Sequence, residues 1–436
     1  MPQDSQSSRS LIENQDAVAD RTPEAIADKV WRARVLLERW VDRNGWAGFD
    51  PYDIRGTGWY LYMGRSETLA LRAARKVLFK LIGHYPLTAR KLANVQAINP
   101  KGIGLFVAAF CRLFEATEDQ AYLERARECA DWLLAHPSQG YPGTSWGYPF
   151  DWQSVVFIPR GTPSAVVSSV IGDGLWRLAH LTGETKYMDA CLGVCDFIVQ
   201  GLNRTEVNRE TLCFSYTPLD KFLVHNANLF AAEFLARVGQ YAGPRDWSET
   251  AVRAGNYFLL EQREDGSVFY WGEAQNQNAP NHRDCYHSGF EIRSLWGLWK
   301  ATGDVRFHKA AVRYFEFFEE SYIGEDGSVM NLPGVPFPVD IHACAEALLC
   351  PAVMSEAFPE RCLKIISRTL PWVLNLMQNQ DGSFAYMAFA SGRVDHTPYL
   401  RWGQAWMLRA LAELQFVLKD KSITNSQAQL HKKATD

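Results

Sequence analysis

Three of the ten histidines, His225, His287 and His342, recur at intervals of about sixty residues, each in a polar leader that precedes an apolar helical stretch. Asp284 stands just before His287, and Asp340 just before His342. Imidazole titrates near neutral pH and carboxyl groups can be tuned by burial, so the set is equipped for acid–base catalysis. Two schemes fit the same residues. In the first, glycosidic cleavage, one carboxylic acid protonates the leaving oxygen while a second carboxylate serves as base or nucleophile. Asp284 and Asp340 are that pair, with Asp151 and Glu273 in reserve. In the second, His225, His287 and His342 exchange protons at a carbon beside a carbonyl or carboxylate, as in an epimerase or a lyase. Capping of the following helices is the plain alternative for both aspartates.

The remaining leaders carry matching groups: Asn99-Pro100-Lys101-Gly102, Pro159-Arg160-Gly161, Val224-His225-Asn226-Ala227-Asn228 and Tyr399-Leu400-Arg401-Trp402-Gly403-Gln404. Sugar rings pack their apolar faces on aromatic side chains and pair their hydroxyls with donors and acceptors. Trp146, Tyr148, Trp152, Tyr216, Tyr270, Trp271, Tyr286, Tyr399 and Trp402 supply the first kind of contact. Lys101, Asp151, Asn226, Asn228 and Gln404 supply the second. Arg160 and Arg401, with helix N-termini beside them, favour an acidic saccharide, unless they are consumed by salt bridges to Asp151 or Asp340.

Helices must hold these leaders in place. Ile171, Leu175 and Leu178, then Tyr187, Cys191, Val194 and Ile198 after the turn at Gly183, spell one helical hairpin. The pattern repeats, with first helices near Leu105, Ser169, Asn228, Ser288, Ala343 and Gly403. Asp265-Gly266-Ser267, Asp326-Gly327-Ser328 and Asp381-Gly382-Ser383 read as tight turns after second helices. Arrays of this period either stay open and need capping repeats or close on themselves. The expected fold is all-α, an (α/α)6 toroid of about six hairpins over residues 23–420, completed by helices at 26–43 and 67–83. Polar tails are expected at 1–22 and 421–436. In a closed ring the leaders of all inner helices meet at one mouth, which predicts a single site.

Composition narrows the function. Hydrophobic residues make up 47% and the net charge is −4, which offers no basic field for a nucleic-acid backbone. A polar start without an apolar core and the lack of a bilayer-length apolar run point to a cytoplasmic protein without a transmembrane segment. Nine cysteines without paired CxxC spacing argue against a disulfide framework. No phosphate loop, dinucleotide fingerprint, GxSxG elbow or HExxH motif is present, so neither cofactor nor metal is expected.

Several stretches resemble a family of bacterial proteins encoded with surface-polysaccharide assembly genes. They are Phe49-Asp50-Pro51-Tyr52-Asp53, Trp146-Gly147-Tyr148-Pro149-Phe150-Asp151-Trp152-Gln153, Phe214-Ser215-Tyr216, Tyr286-His287-Ser288-Gly289-Phe290, Asp340-Ile341-His342 and Arg401-Trp402-Gly403-Gln404. The resemblance spans about residues 45 to 418 and adds Asp50 and Asp53 to the candidate binding residues. More remotely, the arrangement is similar to unsaturated glucuronyl hydrolases, uronate-polymer lyases and acylglucosamine 2-epimerases. It implies sugar chemistry at the ring centre, on an acidic glycan or lipid-linked saccharide. Hydrolase, lyase, epimerase and non-catalytic glycan binder all remain open.

Overall fold

The computed structural model describes residues 22–242, 244–273 and 282–433, with side chains described up to residue 419. The expected N-terminal tail therefore lies outside the described residues, apart from Thr22.

The helices are α1 (Pro23–Asn44), α2 (Gly58–Arg65), α3 (Leu69–His84), α4 (Pro86–Ala93), α5 (Pro100–Thr117), α6 (Gln120–Ala135), α7 (Ala165–Thr182), α8 (Thr185–Asp196), α9 (His225–Ala242), α10 (Arg245–Glu261), α11 (Cys285–Thr302), α12 (Val305–Tyr322), α13 (Ile341–Met354), α14 (Pro359–Met377) and α15 (Ala405–Lys433). Helices α5, α7, α9, α11, α13 and α15 each pack on the next, and α15 returns to α5, which closes the inner ring. Each has an outer partner: α6, α8, α10, α12, α14 and, for α15, the first helix α1. The fold is the expected toroid of six hairpins.

The local causes are visible in the sequence. Asn99, Ser164, Asp284 and Asp340 cap α5, α7, α11 and α13 by accepting backbone N–H groups. Gly183 and Gly303 close α7 and α11 at φ of 70° and 73°, where a side chain would be strained. The inner helices start a few residues before their apolar runs, because their first turns carry the polar leaders. Ile171, Leu175, Leu178, Tyr187, Cys191, Val194 and Ile198 are all fully buried, as their spacing requires. All nine cysteines are buried, as small apolar fillers are.

One expected element lies elsewhere. Helix α3, at the 67–83 stretch, packs on α2 and α4 rather than in either ring, and Ile82 is its one buried residue. The outer ring needs no further helix, because α1 fills the twelfth place. Among the described residues, no helix is long and apolar enough to cross a membrane.

Candidate functional site

The leaders do meet at one mouth. A cavity of about 110 Å³ lies at the N-terminal ends of the inner helices. Its polar walls include Lys101, Asn226, His287, His342 and Arg401, and its aromatic walls include Tyr52, Tyr148, Trp152, Tyr216, Tyr270, Tyr286 and Trp402. Five inner helices or their leaders contribute to this set, together with the 146–152 loop and Tyr52.

The last leader is shaped by a π-helical turn over Leu400–Gln404, in which the Gln404 N–H donates to the Tyr399 carbonyl five residues back. Such turns often mark functional positions. Here the turn brings both Arg401 and Trp402 to the cavity. Arg401 is 2% exposed and forms a two-point ion pair with Asp50, Nε to Oδ2 at 2.8 Å and Nη2 to Oδ1 at 2.7 Å. Asp50 is thus the arginine's counter-ion rather than a sugar ligand.

His287 is held by its own helix cap. Asp284 Oδ1 accepts the His287 backbone N–H at 2.9 Å, while Oδ2 lies 2.7 Å from ring Nδ1. His282 Nε2 approaches the same Oδ2 at 3.1 Å. Burial by itself would raise the Asp284 carboxyl, but His287 and His282 outweigh it and hold the group well below the usual carboxylate range. An Nδ1–H donated to Asp284 leaves Nε2 of His287 as the ring's free base. No HExxH motif is present in the sequence. The fold nonetheless brings His282, Asp284 and His287 together, with ligand atoms within 4.8 Å of one another. Their mutual hydrogen bonds account for that cluster.

His342 sits differently. It is 1% exposed, stacked on Tyr286 with ring centroids 4.7 Å apart, and edge-on to Trp402 at 4.5 Å. Neither ring nitrogen has a hydrogen-bond partner among the described residues. Burial, then the nearby Lys101 and Arg401 charges, push its pKa well below the ordinary imidazole value, so the ring is neutral. Asn226 Oδ1 is likewise buried and unpartnered in the cavity wall. Such groups are costly unless something binds there. Lys101, 3% exposed, lies over the Trp406 and Phe290 rings, and burial lowers its pKa far below the usual ammonium value.

The aspartate pair stands behind residues of the cavity wall. Asp340 Oδ1 accepts the His342 N–H at 2.7 Å and the Trp402 indole N–H at 2.8 Å, and desolvation raises its pKa to about 7. Asp284 and Asp340 therefore position His287, His342 and Trp402, and neither lines the cavity.

Other expected residues have structural posts. His225 stacks on Tyr257 at 5.0 Å, with Nε2 3.6 Å from Glu261, away from the cavity. Asn228 bridges the Phe214 N–H and the Ala254 carbonyl, and Gln404 bonds both backbone groups of Phe384. Asp53 pairs with Arg90 at 2.9 Å; burial lifts its pKa to about 6 despite that arginine. Tyr399 packs edge-on against Tyr386 and under Arg90. Asp151 caps the Arg160 N–H at 2.8 Å, and both border a neighbouring cleft with Asp53 and Asn99, which shares Phe150 and Arg401 with the cavity. Glu273 donates its N–H to Glu261 and is exposed. Tyr52, Phe150 and Phe290 line the cavity without having been singled out as site residues, although all three sit inside the quoted motifs.

A larger cavity, about 740 Å³, opens at the opposite mouth, where the inner helices end. Many of its charges are paired: Arg237 with Asp173 at 2.8 Å, Arg112 with Glu413 at 3.0 Å and Arg293 with Glu346, outside the lining, at 2.7 Å. That network reads as the ring's polar seam rather than as a site for chemistry.

Comparison with known proteins places the fold in company. The chain is similar to a cellobiose 2-epimerase from Bacillus thermoamylovorans, with TM-score 0.58, 13% identity, and 73% of this chain and 87% of that one covered. A D-mannose isomerase gives 0.56 at 12% identity, over 75% and 89%. A glycoside hydrolase family 76 mannosidase from Bacteroides thetaiotaomicron gives 0.57 at 12% identity, over 92% and 99%. At such identities the likeness is one of fold. No family model matches the chain, and no curated sequence does either.

Proposed function

We propose that this protein is a carbohydrate-active enzyme that epimerises or isomerises a sugar by moving a proton at the carbon beside its carbonyl. The observation that carries the reading is the make-up of the cavity wall: among the described residues, two imidazoles and no carboxylate line it. Glycosidic cleavage requires two carboxyl groups facing the scissile bond. Asp284 and Asp340, the pair expected for it, instead support a histidine and an indole.

The chemistry follows from the geometry. His287, oriented by Asp284, takes the proton through Nε2, and the C–H electron pair moves into an enediolate. The imidazolium formed on His287 returns that proton, after exchange with solvent, to the enediolate: at the neighbouring carbon for isomerisation, or at the other face of the same carbon, after the enediolate has rotated, for epimerisation. His342, neutral and unpartnered across Tyr286, hydrogen-bonds a substrate oxygen. The Arg401–Asp50 pair uses Nε and Nη2, which leaves Nη1 to meet the developing oxyanion. Tyr148, Trp152, Tyr216 and Trp402 form an aromatic cage for the ring faces. The solved epimerase and isomerase of the same fold, and the resemblance to polysaccharide-assembly proteins, support a sugar substrate.

An acidic saccharide has less support than the sequence implied. Arg160 borders another cleft, Arg401 is neutralised by Asp50, and Lys101 is disfavoured as an ammonium. A neutral sugar fits better.

The test is solvent-proton exchange. The protein is incubated in D2O with a panel of neutral reducing hexoses, N-acylhexosamines, disaccharides and uronic acids, followed by NMR. Deuterium is expected at the carbon next to the carbonyl of a neutral sugar, with His287→Gln and His342→Gln each lowering the rate by about 10²–10⁴. Release of a glycosidic fragment, or no exchange with any sugar, would overturn the reading.

A further inference from the structure

The excursion between α1 and α5 carries a surface that the sugar site does not use. Leu69, Ala73, Val77 and Leu81 follow one another at four-residue steps along α3, and all four point outward; Leu69 is 79%, Val77 62% and Leu81 52% exposed. The opposite stripe, Leu71, Leu78 and Ile82, already faces the body, so α3 has a second apolar face with no cover among the described residues. Arg72, Lys76 and Lys80, also exposed, run in parallel beside it. Neither α3 nor α4 contains an acidic residue. Residues 58–95 hold seven Lys and Arg against the single Glu67, in a chain whose total charge is −4. Trp59 and Tyr62 on α2, and Tyr85 and Leu92 around α4, extend the exposed apolar area.

We infer that this excursion is a peripheral docking surface for an anionic lipid bilayer. A helix with an apolar stripe flanked by cations lies in the headgroup region, burying the stripe while the cations meet lipid phosphates. Charge complementarity selects this occupant. A second copy docked stripe to stripe would bring two rows of Arg72, Lys76 and Lys80 together, and a bilayer does the reverse. The position is apt as well: Tyr52 and Trp152, which line the sugar cavity, also border the cleft formed with Arg55, Tyr60 and Arg75 of the excursion. Docking would set the cavity's mouth beside the membrane surface. The inference rests on α3 itself and stands whichever reaction the cavity performs.

Vesicle co-sedimentation of the full chain tests it, with phosphatidylcholine vesicles containing or lacking about 30% phosphatidylglycerol. Binding is expected to the anionic vesicles at low salt and to weaken as salt is added. The triple variant Arg72→Gln, Lys76→Gln, Lys80→Gln should bind on the order of 100-fold more weakly. Val77→Asp with Leu81→Asp should abolish binding while leaving the melting temperature unchanged, since both sites are exposed. Failure of the wild-type chain to pellet with anionic vesicles overturns the proposal, as does equal binding by the variants. Concentration-dependent self-association in sedimentation equilibrium, lost in Leu81→Asp, overturns it in favour of a protein contact.

Discussion

Arg401 and Asp50 are 351 positions apart in the chain and meet in a buried two-point ion pair. The pair joins the loop after the first helix to the leader of the last inner helix, and its arginine stands in the wall of the cavity at the ring's mouth. Asn99 Nδ2 and the Tyr52 N–H also donate to Asp50, so three distant segments share one carboxylate.

Breaking that pair from one side strands a buried charge. Asp50→Ala is expected to cost about 3–5 kcal/mol of stability, whereas Asp50→Leu with Arg401→Met recovers most of the loss. Urea unfolding of the three proteins checks this. A single variant within about 1 kcal/mol of wild type would show that water reaches the pair.

Asp340 makes stability fall as pH rises. Its folded pKa, raised to about 7 chiefly by desolvation, exceeds the unfolded value near 3.8. The folded state therefore binds more protons between those values, and the stabilisation present below pH 4 is lost as pH climbs through 7. Asp340→Asn keeps an oxygen for the Trp402 and His342 N–H groups without the charge. The stability difference, variant minus wild type, should grow from pH 4 to 7 and level off above, with an upper bound of about 4 kcal/mol. Thermal or urea unfolding across that range is the measurement, and a flat difference would refute the assignment.

Helices α5 and α7 pack closely at two glycines, Gly104 and Gly174. A Cβ on Gly104 would lie 2.8 Å from Ile171 Cα, and one on Gly174 would lie 2.7 Å from the Gly104 carbonyl oxygen. Gly104→Ala gains up to about 1 kcal/mol of helix propensity, but forcing the helices apart costs about 1–3 kcal/mol. A net loss is expected. Gly83 in α3 has nothing within 4 Å, so Gly83→Ala should instead stabilise by about 0.5–1 kcal/mol. Calorimetry of the two variants gives opposite signs if the packing is as described.

The ring was legible because its cause is periodic. Buried stripes such as Ile171, Leu175 and Leu178 recur with each hairpin, and the Asp-Gly-Ser turns at 266, 327 and 382 adopt positive φ as their glycines imply. Residue type at the leaders was legible too, yet orientation was not. His225 and His342 hold equivalent places in their repeats, but the first stacks on Tyr257 of the outer ring and the second faces the cavity. The difference lies in how each first turn is anchored. Asp340 caps α13 and fixes His342, whereas Val224 and the residue after it pair with the 270–271 strand segment. Helix α3 misled for a related reason: periodicity reports an apolar face, not what covers it.

The outer partner of the last inner helix is the first helix of the chain. During synthesis α1 precedes every ring helix, and its stripe of Ile26, Val30, Leu37 and Val41 has no companion until α14 and α15 are made. The ring thus closes on the seam where it was opened. A nascent chain stopped before residue 405 holds five hairpins in an unclosed arc, with a sticky edge at each end for chaperones to shield.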